Sequence, residues 1–268
     1  MYKDTPVNGR WKLSIPYAIY MLLFVVMPLF VILYYGFTDA QGHLSFANAA
    51  AFFCSTRSMG TLVYSLVIGV LVTVICLAVA YPVAYILAKG EYARQHAFLM
   101  VFVLPMWINF TLRITALKEV LNVLEGNLAY YPFLNTIICM VYDFLPFMIM
   151  PLFNTISKID SSMIEASRDL GGSNWQTLWR VLVPMSLPGI ISGITMVFLP
   201  AMTNYVVLDM IYNSTYIMGS LIGSYFNTYD WNNGSIISAV LLMFIGLLTI
   251  FTGRLAQEGQ NRAKGGAA

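Results

Sequence analysis

Residues 61–88 read TLVYSLVIGVLVTVICLAVAYPVAYILA, without a single charge. A helix needs about 20 apolar residues to span a hydrocarbon core of ~30 Å. The run exceeds that length and is continuous, with no period of 2 or 3.6, so it is read as a helix surrounded by lipid. Working outward, five more segments meet or approach the same standard: Leu13–Gly36, Ala97–Leu117, Phe133–Ile156, Leu187–Tyr212 and Ser235–Gly253. Counted in chain order over all six, the first, second and last are uncharged, the third loses its uncharged character at Arg113, and the fourth and fifth contain Asp143 and Asp209. Composition agrees: 59% of the 268 residues are hydrophobic and 10% charged, against about 25% charged in a soluble domain. Membrane barrels read as short alternating strands. The expected fold class is therefore an all-α integral membrane protein with six transmembrane helices.

Lys and Arg in the connections set the orientation. Eleven of the fourteen fall on one side: Lys3, Arg10, Lys12, Lys89, Arg94, Lys158, Arg168, Arg180, Arg254, Arg262 and Lys264. The other side holds Arg57, Arg113 and Lys118. Both termini are expected in the cytoplasm, with residues 37–60 and 118–132 outside. The first span is too long for the apolar region of a cleaved signal peptide. The chain divides into residues 1–60 (N-terminus, first span and outer loop), 61–254 (five-helix core) and a cytoplasmic tail, 255–268.

Several chemistries lack their residues. Cys54, Cys76 and Cys139 show no metal or disulfide spacing. No lysine completes a phosphate-binding G-x-x-x-x-G-K loop. His43 and His96 stand apart and read as surface residues, no catalytic constellation accompanies them, and the net charge of +2 does not imply nucleic acid. The chain is not expected to be an enzyme, nor to hold a metal or cofactor. Prolines at 16, 28, 82, 105, 146, 151 and 200 punctuate the spans; they are either ordinary kinks or hinges along a path.

The long inner connection, residues 157–186, holds the coupling loop 158–186; from 158 to 190 the chain reads KIDSSMIEASRDLGGSNWQTLWRVLVPMSLPGI. Ser162 with Glu165 predicts a capped helix running to about Leu170, which Gly171 and Gly172 end. Ser173 with Gln176 caps a second helix whose stripe is Trp175, Leu178, Trp179 and Leu182, and which Pro184 and Pro188 close. Two short helices joined by a glycine elbow need a partner surface, either the protein's own base or another protein.

The pattern Glu165-Ala166-Ser167, Gly171, Val181, Val183, Pro184 resembles the EAA loop of binding-protein-dependent ABC importers, with Ser167 for the second alanine and valines for Ile and Leu. The resemblance implies a type I importer permease fold in a bacterial inner membrane. It also implies that Glu165, Ala166, Asp169 and Gly171 form an elbow docking on an ATPase subunit dimer, where ATP and Mg are bound. A second homologous permease, an extracytoplasmic solute-binding protein and membrane lipid are the other implied partners. The strings LPMWIN (104–109), DFLPFMIMPLF (143–153) and EASRDLGGSNWQT (165–177) are most similar to spermidine/putrescine permeases of the PotB type, for which the second permease is PotC-type.

Charges inside the membrane are default site candidates. Asp143 lies about 15 Å into its span at helical rise; it is a substrate contact or the ion-pair partner of Arg113. Tyr205, Asp209 and Tyr212 fall on one helical stripe, suited to an organic cation or to the interfacial aromatic belt. Trp107, Asn109 and Phe110 follow Pro105 and either line a path or pack. The rivals are an importer of another small solute or an anion served by Arg113, a self-sufficient secondary transporter or channel, and a membrane scaffold.

Overall fold

The computed structural model describes residues 10–39, 41–90, 95–211 and 216–265. Lys3, Arg94, Tyr212 and residues 266–268, named above, lie outside them. In chain order, α1 runs Arg10–Met21, passes through a π turn at Leu22–Val26 and ends as Met27–Gly36. Helix α2 is Ala47–Cys54 and α3 is Thr56–Lys89. Helix α4, Gln95–Val103, leads through a 3-10 turn, Leu104–Trp107, to α5, Phe110–Glu125. Next come α6, Pro132–Ile156, and α7, Ser161–Asp169. Helix α8 starts as Asn174–Thr177, widens into a π turn at Leu178–Leu182 and continues as Val183–Thr203. Helices α9, Tyr205–Ile211, α10, Met218–Asn227, and α11, Trp231–Gly265, complete the order. Among the described residues five helices are long and apolar enough to cross a membrane, and six if α4 and α5 count as one broken span.

Three expectations are corrected. The third segment is not one helix: its halves meet at 97°. The fifth does not begin at Leu187, because α8 is continuous from Asn174 to Thr203, and it breaks at Asn204, whose ψ of 85° is not helical. The last continues past Gly253 to Gly265. Pro184 does not end its helix for a local reason. A proline ring clashes with the carbonyl four residues back, and a turn widened to i→i+5 bonding gives that carbonyl room. Both π turns stop two residues before a proline, Val26 before Pro28 and Leu182 before Pro184.

The chain forms two compact units. One comprises residues 1–59 with 221–243. There, Gly36 lies against the backbone of Ile236. Asn48 Nδ2 donates to the Thr38 carbonyl at 2.9 Å and Asn232 Nδ2 to the Tyr35 carbonyl at 3.0 Å. These amides tie the connection after α1 to its neighbours.

The other unit comprises residues 60–220 with 244–268. On α3 a stripe of every fourth residue, Ile68, Val72, Cys76, Ala80 and Ala84, is completely buried, while Val67, Val70 and Val74 are exposed. Both faces are apolar because one meets protein and the other lipid, so the sequence of this helix carries no amphipathic period. Helices α6 and α8 pack extensively along one another. A Cβ on Gly189 would stand 2.6 Å from Thr155 Oγ1, and one on Gly193 2.5 Å from Met148 Sδ. The small residues four apart let the two backbones approach closely.

Candidate functional site: a glycine elbow and a broken helix

Helix α7 begins differently from the expected Ser162 box. Asp160 is the cap, its carboxylate accepting from the Ser162 N–H at 3.0 Å. That bond, the Ser162 hydroxyl and, more weakly, Lys89 hold the Asp160 carboxyl below the usual carboxylate range. The helix therefore starts two residues earlier than predicted, at Ser161, with the Asp160 carboxylate as the capping acceptor. At the other end Gly171 has φ +81°. Its N–H donates to Arg168 O at 2.9 Å and the Gly172 N–H to Ser167 O at 3.0 Å. This is the paired closure of a Schellman motif, with glycine at its left-handed position. The Ser173–Gln176 box has both of its bonds, so α8 starts immediately beyond the turn.

The elbow is cross-braced. Ser167 Oγ and Thr177 Oγ1 are 2.9 Å apart, joining α7 to α8, and Thr177 is 2% exposed. Ile159, Ile164 and Leu182 form a small core with Tyr85, Leu178 and Met185 against it. The predicted tryptophan stripe therefore splits. Leu178 and Leu182 face inward, whereas Trp175 and Trp179 are exposed and stack edge to face at 5.6 Å. Ala166, Ser167, Gly171 and Val181 line one open hollow of about 590 Å³. Glu165 and Asp169 are exposed beside it, and Val183 and Pro184 belong to the continuing α8.

Two attachments were not predicted. Lys89 Nζ, at the end of α3, donates to the Ile159 carbonyl. Tyr81 Oη and Ser186 Oγ are 3.0 Å apart. Both connect α3 to the base of the elbow. The signal for Lys89 was its position as the first charge after an apolar run; nothing in the sequence pairs Tyr81 with Ser186.

In the broken segment Asn109 Oδ1 accepts from Thr111 N at 3.0 Å and Leu112 N at 3.5 Å, so this residue caps α5. Phe110 packs against the core, while Trp107 at the break is 78% exposed. Arg113 and Asp143 form a buried ion pair, 8% and 3% exposed, and Arg113 Nη1 also donates to Pro105 O at 2.8 Å. Asp143 is thus occupied by a protein cation. Tyr205 and Asp209 share an exposed face of α9, and no salt bridge to Asp209 occurs among the described residues. The third member of that stripe, Tyr212, lies outside them.

Among the described residues the arrangement offers an exposed lever, buried braces and a kinked apolar scaffold. The sequence matches the family described as "Binding-protein-dependent transport system inner membrane component" over residues 7–258. It is 35% identical over 205 residues to the spermidine/putrescine transport system permease protein PotB of Escherichia coli, covering 70% of this chain and 74% of that one. It is 33% identical over 264 residues to the PotB of Haemophilus influenzae, covering 91% and 92%. Among solved structures, a bacterial alginate ABC transporter in complex with an alginate pentasaccharide-bound periplasmic protein superposes with a TM-score of 0.74 at 12% identity, covering 92% and 93%. The MetNI methionine ABC transporter in an inward-facing conformation gives 0.57 at 18%, covering 76% and 99%. The all-helical fold is that of an ABC importer permease, and the chain belongs to the family of binding-protein-dependent transport system inner membrane components.

Proposed function

We propose that this chain is one permease subunit of a polyamine importer, carrying spermidine or putrescine inward with energy from ATP hydrolysed elsewhere. A separate ATPase dimer would bind the ATP and Mg. A second, PotC-type permease would complete the path, and an extracytoplasmic solute-binding protein would deliver the substrate. Both termini and the elbow would lie in the cytoplasm, as the basic residues favour.

The observation that carries the reading is mechanical. The helix that starts at the elbow, Asn174, runs unbroken to Thr203 and packs along α6. A push on the exposed Trp175–Trp179 face would move a rigid rod. Capping at both sides of the turn and the Ser167–Thr177 brace keep the elbow from absorbing the displacement. Lys89 and the Tyr81–Ser186 bond pass part of it to α3. Glu165, Ala166, Asp169 and Gly171 would meet the ATPase, with Leu170 and the tryptophans supplying apolar contact.

The polyamine assignment draws on the relatives' names and on Asp209. An organic cation suits a carboxylate beside an aromatic face, and Tyr205 stands one helical turn before Asp209. An anion would draw on Arg113, whose guanidinium already serves Asp143 and the Pro105 carbonyl. The test is ATP hydrolysis by the assembled complex in nanodiscs, with binding protein loaded with spermidine, putrescine or an anionic solute. Stimulation by the polyamines alone is expected, and stimulation only by another solute would reject the assignment.

A further inference from the structure

We infer that Arg113 is a pin that sets the break between α4 and α5, and that Asp143 serves this pin instead of a substrate. Breaking a helix leaves backbone groups without partners, and inside a membrane they must be satisfied by protein. At this break the Pro105 carbonyl accepts from Ile108 N at 3.2 Å and from Arg113 Nη1 at 2.8 Å. The other terminal nitrogen, Nη2, faces Asp143 on α6. One planar fork thus holds a carbonyl before the break and a carboxylate on a neighbouring helix, while its own backbone lies after the break. Those three attachments define the 97° angle between the halves.

The carboxylate stands on a buried stretch of α6. Met140 and Met148 on the same helix are wholly buried, and Phe144 beside it nearly so. The Tyr142 ring lies 6.0 Å from Arg113 Cζ, giving the guanidinium a further face to rest on. Arginine suits the position because its donors diverge in a rigid plane, which the single ammonium of lysine does not reproduce. The consequence for transport is positional. Trp107 sits on the pinned turn, 78% exposed, so Arg113 would govern where this ring stands without touching substrate. Arg113 is a positioning residue.

Hydrogen exchange of the assembled complex in nanodiscs tests the pin without using any substrate, and spermidine uptake by the same complex adds an arm that rests on the proposed function. Arg113→Gln is expected to raise exchange over residues 104–112 by about fivefold or more while residues 137–153 stay within about twofold. Arg113→Lys should fall between. The paired Arg113→Met/Asp143→Leu variant removes both buried charges, which proteins tolerate better than losing one. It should assemble, keep the raised exchange over 104–112, and lower the maximal uptake rate about fivefold with KM within about twofold. Wild-type exchange and uptake in the paired variant would overturn the pin. So would Asp143→Asn that raises KM for spermidine about tenfold with exchange over 104–112 unchanged, since that assigns Asp143 to substrate. If Arg113→Gln fails to assemble, the lysine and paired variants carry the test. A wild-type complex that takes up no spermidine would refute the substrate reading, and the exchange arm would still decide the pin.

Discussion

Gly171→Val isolates the elbow's geometry from its surface. Gly171 has φ +81°, and no atom lies within 4 Å of a Cβ placed there. The penalty is therefore conformational and not a clash. Holding an L-residue in the left-handed region costs about 1–2 kcal/mol, and a β-branched side chain is a marked outlier there. If the turn opens instead, the bonds from Gly171 N to Arg168 O and from Gly172 N to Ser167 O are lost, at about 1 kcal/mol each. Either route weakens the closed elbow by about 2 kcal/mol, roughly a 30-fold shift in its equilibrium. The assay is the ratio of spermidine transported to ATP hydrolysed in proteoliposomes, together with retention of the ATPase on affinity-purified permease. The ratio should fall in the order Gly, Asn, Ala, Val, because asparagine tolerates the left-handed region better than alanine. Valine coupling like glycine, or asparagine failing as badly as valine, would show that left-handed geometry is not what the turn requires.

Other outcomes follow from neighbouring contacts. Ser167→Ala leaves the buried Thr177 hydroxyl without its 2.9 Å partner, so it should weaken the elbow by about 1–3 kcal/mol. Ser167→Ala/Thr177→Val should recover most of that in a double-mutant cycle read by thermal unfolding and by coupling ratio. Asp209→Asn should raise KM for spermidine at least about tenfold with assembly intact; unchanged uptake removes the polyamine contact. Glu165→Lys should weaken retention of the ATPase with the apolar spans still folded, and normal coupling in that variant would contradict the docking role. The Asp160 cap should be pH-sensitive in a fixed direction. Its carboxyl titrates below its unfolded value, so its contribution to α7 is present above the ordinary aspartate pKa. It is lost as pH falls through the lowered value. An Asp160→Asn variant whose acid unfolding matches wild type would contradict this.

Local rules determine some parts of this fold, and those parts are legible in the sequence. Six apolar runs were legible because lipid sets a length that chance rarely meets, and the Gly171 turn and Ser173 box because each answers a local backbone demand. The break at Asn109 was hidden. Ile108 and Phe110 keep the run apolar, so hydropathy passes through a residue whose side chain caps a new helix. Pro105 followed by Asn109 was the available signal, read as a kink and not as a stop followed by a start. The continuity of α8 was missed for the opposite reason: Pro184 reads as a stop, and only the π turn before it lets the helix continue. Arg113 and Asp143, thirty residues apart, left a pair and a site both open, and only tertiary structure brings the two side chains together. Nothing local marks Ser167, which stands where the EAA pattern has its second alanine, yet its hydroxyl meets a buried partner ten residues on.

The central claim is that this chain moves polyamine only when an ATPase drives its elbow. Spermidine accumulation should therefore be measured in proteoliposomes holding the complete complex, the complex without ATPase, and the purified chain alone. The account predicts ATP-dependent accumulation from loaded binding protein in the first preparation and none in the other two. Accumulation by the chain alone, under a proton or sodium gradient and without ATPase, would contradict it.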